Sequence, residues 1–188
     1  MTPIYKLRFD RFNYMVFEVD PHLIAAQFGN IFALNKPFWM DFWQPLDSRF
    51  IDESDKKNVL AVPDITCWFT DNLVLNTKAY NAIGDTLATY GELLPIKCEG
   101  IPYWILHVTK NTGIDAVDLN MSERIIEEGG FIDIQKLVFK EKAIKDFLLF
   151  KTEFSNYRNI YCTEHFKQLV EKSELKGLLF STDLVSIL

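Results

Sequence analysis

Between Pro63 and Gly100 the sequence changes its apolar period twice, which leaves few folds open to the chain. Pro63-Asp-Ile-Thr reads as a strand, residues 77–90 as a helix and residues 93–99 as another strand. Tyr80, Ile83, Leu87 and Tyr90 recur at steps of three and four, so one helical face is apolar. Thr77 is the expected N-cap, since a hydroxyl there accepts from an unpaired helical N–H. Gly91 is the expected left-handed stop. Thr163 opens a later echo, with Phe166, Leu169 and Val170 on its helical face and Gly177 near its end. In both copies an aromatic follows the threonine by three residues and an aliphatic by six. The expected fold class is α/β (α+β): a mixed, partly antiparallel sheet with at least two helices packed on it.

The rest of the chain reads as short elements. Ile4 to Phe9 and Phe12 to Val19 are expected to form a hairpin around Asp10-Arg11. Asp20-Pro21 is a helix start, a carboxylate cap followed by the residue whose missing N–H is not needed there. Leu23, Ile24 and Phe28 are the expected buried side of that helix, and Gly29 its end. Residues 47–58 turn polar and are expected to link an N-terminal subdomain or extension, 1–58, to a main α/β domain, 59–188. Val59 to Thr66 reads as a buried strand. Glu99-Gly100 reads as a hairpin turn, with Pro95 and Pro102 pushing their strands toward an edge or a bulge. Residues 134–140 and 147–151 are expected to pair, and 158–162 and 178–181 to supply the last strands.

Composition excludes several classes. A formal charge of −6 and a pI near 5.1 are wrong for a nucleic-acid backbone binder, which needs a basic stripe. That sign suits a partner with a basic face. Cys67, Cys98 and Cys162 are odd in number and widely spaced, so buried thiols are expected rather than disulfides or a zinc site. The first eleven residues lack the apolar run of a signal peptide, and no apolar run reaches membrane-spanning length. The expectation is a cytoplasmic protein without a membrane segment, metal or cofactor.

Chemistry-bearing residues are few. His22, His107 and His165 have no metal-ligand spacing. His107 reads as a hydrogen-bonded residue at a sheet margin. Cys162 and His165 stand three apart at a strand–helix junction, where a helix start can activate a thiol; a structural cysteine is the favoured reading. Asp115 and Asp118 suit an acid–base pair, or carboxylates that fix a loop by accepting backbone N–H bonds, and the second is favoured. Asp115, Asp118, Glu123, Glu127, Glu128 and Asp133 oppose Arg124 alone across 115–133, nearly the whole formal charge of the chain. Trp39, Phe42 and Trp43, in the run Phe38-Trp39-Met40-Asp41-Phe42-Trp43, are either core anchors or apolar anchors of an interface. A third option has the aromatic run joining copies in a homo-oligomer.

The order of the later pieces carries a resemblance. Pro63-Asp-Ile, the Leu73–Tyr90 unit, Leu94-Pro95-Ile with Tyr103, and Asp115-Ala-Val-Asp118 leading to Ser122 follow one another. Phe147 to Phe150, Ile160-Tyr-Cys-Thr163 and Leu175-Lys-Gly177-Leu-Leu-Phe180 complete the set. Across residues 59–183 the chain resembles the bacterial polymorphic-toxin immunity proteins of the immunity protein eleven group, formerly a domain of unknown function. The resemblance implies a non-catalytic protein that neutralises a cognate toxin effector by direct contact, and it supplies no catalytic residues. Asp115, Asp118, Glu123, Glu127 and Glu128 are the expected steering charges, and Trp39, Phe42 and Trp43 the expected apolar anchors.

Overall fold

The structure, a computed structural model, describes residues 3–29, 38–54, 59–126 and 132–186. The N-terminal part gives β1 (Ile4–Phe9), β2 (Val16–Val19), α1 (Pro21–Phe28) and β3 (Asp47–Ile51). Then come β4 (Ile65–Trp68), β5 (Asn72–Leu75), α2 (Thr77–Leu87), β6 (Gly91–Cys98), β7 (Ile101–Val108) and β8 (Asn111–Thr112). β9 (Glu123–Ile126), β10 (Ile132–Lys136), α3 (Glu141–Ile144) and β11 (Leu149–Thr152) follow. β12 (Tyr161–Thr163), α4 (Glu164–Lys172) and β13 (Leu178–Ser181) complete the described chain. The class is α+β with mixed sheets, as expected. Among the described residues no helix is long and apolar enough to cross a membrane.

Two larger sheets have the orders β2-β3-β6-β7-β5-β4 and β13-β1-β12-β11-β8, and β9 with β10 forms a separate ribbon. Only β3–β6 and β8–β11 run parallel among these pairs. Alternation along each strand sorts the core into layers. Leu73, Leu75, Leu106 and Val108 of the first sheet meet Tyr5, Leu7, Leu149 and Cys162 of the second, with Ile83 of α2 and Phe166 of α4 in the same cluster. The far face of the six-stranded sheet buries Phe17, Trp39, Val74, Leu94 and Ile105. The far face of the five-stranded sheet buries Phe139, Phe150 and Tyr161 beneath Ile134 of the ribbon.

Several expectations are corrected by pairing that local sequence does not specify. β1 and β2 are not a hairpin: β1 lies between β12 and β13, whereas β2 pairs with β3. Strands from residues 1–58 thus sit inside both large sheets; Asn58, the expected boundary, lies outside the described residues. The strand expected over 59–66 starts only at Ile65, and Val59 is exposed. The stretch before α2 forms a β4–β5 hairpin instead. Residues 134–140 and 147–151 do not pair with each other; β10 pairs with β9, and β11 with β12 and β8. Pro95 and Pro102 keep regular β6–β7 pairing because β3 reaches only Lys97 and Cys98, and β5 ends opposite Trp104. Their missing N–H groups therefore break no ladder beyond that hairpin.

Helix ends follow the same pattern. α1 is capped as expected, with Asp20 accepting from His22 N–H and Gly29 left-handed at φ 81°, although Leu23 is exposed. For α2 the cap is Asn76, whose Oδ1 accepts from Ala79 N–H at 2.9 Å; Thr77 is already helical. Asn76→Ala should cost about 1 kcal/mol in urea denaturation, against at most about 0.5 kcal/mol for the exposed Thr77→Ala. Thr163 caps α4 without a side-chain bond, because its hydroxyl donates to the Phe147 carbonyl. The two threonines of the echo are therefore not equivalent. Gly91 does not stop α2 but opens β6, where a Cβ would stand 2.1 Å from the His107 carbonyl oxygen.

Asp64 ties this unit together. It accepts from Asn76 Nδ2 (3.0 Å), Lys78 Nζ (3.0 Å) and Lys176 N–H (3.1 Å), joining the approaches to β4, α2 and β13. Burial opposes its charge, yet these hydrogen bonds hold the carboxyl below its usual range.

Candidate interaction surface

The acidic segment is built on a strapped loop and a ribbon. Ile114–Ala116 is a 3-10 turn, and Val117 bridges to Phe139. Asp118 N–H donates to the Val138 carbonyl and Lys140 N–H to the Ala116 carbonyl, each at 2.9 Å. Ser122 Oγ accepts from Val138 N–H at 2.9 Å, which sets the start of β9. β9 and β10 then pair antiparallel, with Ile125 opposite Asp133 and Ile126 opposite Ile132. Arg124 anchors the ribbon: its guanidinium donates to the Phe154 carbonyl at 2.7 Å and lies 4.7 Å from the Phe154 ring centroid.

The expected steering charges divide. Asp115 is exposed, with Lys140 Nζ donating to its carbonyl at 2.9 Å, so a cation sits beside it. Asp118 Oδ1 accepts from Asn120 N–H at 3.1 Å, the loop-fixing role. Exposed Glu123 stands opposite Lys136. None of Asp115, Asp118, Glu123 and Asp133 is held in an ion pair among the described residues. Glu127 and Glu128 lie outside the described residues.

What sequence reasoning missed is apolar. Leu119 (56% exposed), Met121 (49%), Ile125 (51%) and Ile126 (62%) fall within eight residues of one another, among these carboxylates. Single exposed aliphatics need no explanation, but four within eight residues make this segment the candidate interaction surface. The available signal was Ile125-Ile126 beside Glu123 in a stretch read only for charge.

The aromatic run serves elsewhere. Trp39 is completely buried, stacked on His107 at 3.9 Å and touching Phe28, Trp43 and Trp68 edge-on or face-on. The Glu92 carboxylate receives the backbone N–H of Trp39 (2.7 Å) and Met40 (3.0 Å), and Trp43 Nε1 donates to the Pro95 carbonyl at 2.7 Å. Phe42 and Trp43 are half-buried in the same cluster. Of the run, Phe38 and Met40 are the exposed apolar members.

Nor are the candidate catalytic groups assembled. Cys162 is wholly buried, and burial first of all pushes its thiol well above the ordinary range, while His165 is exposed. All three cysteines are free and buried. His107 lies between β5 and β6 rather than at a margin. It belongs to a buried chain of polar groups: Lys151 Nζ to Asp71 Oδ2 (3.3 Å), Asn72 Nδ2 to Asp71 Oδ1 (2.8 Å), and His107 Nδ1 to Asn72 Oδ1 (2.9 Å). The Asn72 amide must present its nitrogen to the carboxylate, so its oxygen accepts from the imidazole.

No family model matches this chain, and no curated protein matches it.

Proposed function

We propose that this is a non-catalytic immunity protein that binds and neutralises a cognate toxin effector in the cytoplasm. The observation that carries this reading is the exposed Leu119, Met121, Ile125 and Ile126 set among carboxylates not held in ion pairs among the described residues. Exposed aliphatics interspersed with carboxylates suit a partner whose binding face is basic: carboxylates steer the encounter and desolvated aliphatics supply affinity. The resemblance across residues 59–183 points the same way. In this reading the apolar anchors are the ribbon residues rather than Trp39, Phe42 and Trp43.

The test is capture of the polypeptide encoded beside this one, followed by co-expression to score rescue from toxicity. In the captured complex, Ile125→Asp should raise the dissociation rate about tenfold or more. Glu123→Lys should slow association, with a deficit that shrinks as salt rises. Surface plasmon resonance at two ionic strengths checks both, and unchanged kinetics in both variants would remove this face.

A further inference from the structure

β1 exposes a second, unrelated feature. Strand alternation sends Tyr5 and Leu7 into the core between the sheets, and sends Ile4 and Lys6 to the opposite face. Lys6 is there only 5% exposed, and burial first, then the neighbouring Arg8, drives its ammonium down to about 8. Its acceptor is the Ser186 carbonyl at 3.0 Å, which the Arg8 guanidinium shares. Among the described residues neither cation has a carboxylate within ion-pair distance, and Arg8 Nε is buried without a hydrogen bond. The nearby Asp183 carboxylate is occupied by the N–H groups of Val185 and Ser186. A buried cation whose hydrogen-bond acceptor is a shared carbonyl, with the Asp183 carboxylate acting only through space, is costly, and an anion lowers that cost.

Lys6 also lines a cleft of about 140 Å³, together with Thr70, Ser155, Arg158, Asn159 and Asp133. The Tyr161 hydroxyl is buried near Ser155 and Asn159, and nothing among the described residues meets it in hydrogen-bonding geometry. The flanking backbone is constrained: Phe69, Asn156 and Tyr157 are non-glycine residues held at φ between 51° and 59°. For aromatic residues that conformation is a rare outlier.

We propose that this cleft is an oxyanion site that takes a phosphate group, as free inorganic phosphate or as the end of a small phosphomonoester. The Thr70 and Ser155 hydroxyls donate to the Arg158 and Thr152 carbonyls. The donors that would meet a ligand are therefore the cationic Lys6 and Arg158 side chains and the Asn159 amide, which suit a dianion with several acceptor oxygens better than a singly charged carboxylate. The volume is well below the roughly 300 Å³ of ordinary ligand pockets, which excludes a nucleotide. Asp133, which Gln135 Nε2 engages at 2.5 Å, is the one carboxylate lining the cleft.

The experiment is thermal unfolding of the full chain in inorganic phosphate, phenyl phosphate or chloride at matched ionic strength. With a dissociation constant near 1 mM, about 30 mM phosphate should raise Tm by roughly 5 °C over chloride. Phenyl phosphate matching that rise assigns a phosphomonoester, and a rise with inorganic phosphate alone assigns the free ion. Lys6→Met should fold, since an apolar isostere replaces a buried cation, and should lose the increment. Arg158→Gln, at an exposed position, should bind at least tenfold more weakly by calorimetry. No increment in the unaltered protein, or the same increment in both variants, overturns the site.

Discussion

Trp39→Ala should destabilise the protein by about 3–5 kcal/mol, the range for truncating a buried aromatic. The side chain is completely buried, and its ring is the hub on which His107, Trp43, Trp68 and Phe28 converge. Alanine would leave a void across the outer face of the six-stranded sheet and strip His107 of its stacking partner. The Glu92 clamp would survive, because it holds backbone N–H groups. The segment should therefore stay attached while its packing is lost. Guanidinium denaturation checks the value, and a loss under 1 kcal/mol would show that Trp39 is not the structural hub. The same result bears on the proposed recognition: any loss of binding to the proposed partner in this variant should follow the unfolded fraction rather than exceed it.

Asp71→Ala should cost a similar amount, about 3–5 kcal/mol, for a different reason. Lys151 is buried, and Asp71 is the carboxylate that neutralises it at 3.3 Å. Burial raises the Asp71 carboxyl and lowers the Lys151 ammonium, so desolvation outweighs their mutual attraction at both ends. Such a pair adds little net stability while intact but is costly to break. Removing Asp71 leaves Lys151 to lose its proton or to remain charged without a partner, and it also strips Asn72 Nδ2 of its acceptor. The double variant Asp71→Leu/Lys151→Met should recover most of the loss, and a double-mutant cycle measures how much. If Asp71→Ala and the double variant are equally stable, the pair is not what organises this part of the interior.

The two losses separate two ways in which the molecule is held. Trp39 closes the outer face of one sheet through shape. The Asp71–Lys151 contact joins the β4–β5 hairpin to β11 in the other sheet, through charge and hydrogen bonds. His107 belongs to both, stacked on Trp39 and bonded to Asn72. Neither involves the exposed Leu119, Met121, Ile125 and Ile126, whereas the buried side of the ribbon, through Ile134 and Arg124, belongs to the core layer over Phe150 and Phe154. The proposed phosphate cleft lies under the ribbon, lined by Ile132 and Ile134 of β10.

Local chemistry was legible wherever one element decides it. Asp20-Pro21 and Gly29 bounded α1 because caps act within a turn of the chain, and Glu99-Gly100 closed the β6–β7 hairpin because a tight turn sets its own register. The buried state of the cysteines followed from their apolar neighbours. Partner choice between strands was not legible: β1 and β2 look like a hairpin, yet their partners lie more than 150 and about 30 residues away respectively. Thr77 and Asn76 are both competent caps, and only the placement of Asp64 beside Asn76 selects the second. Gly91 looks like a helix stop, but what demands glycine there is a neighbouring strand's carbonyl. Charge marked the 115–133 segment, while its exposed aliphatics emerged only when the ribbon had no third strand to cover it among the described residues.

The sequence alone determined α1, α2 and α4, the β6–β7 hairpin and the α+β class, because periodicity, capping and tight turns are set by near neighbours. Only the tertiary structure decided which aromatics are core, which carboxylates lack ion pairs among the described residues, and that Lys6 is a buried cation. Burial is a property of what the rest of the chain places on top of a residue, and a strand's own alternation does not say what lies above either of its faces.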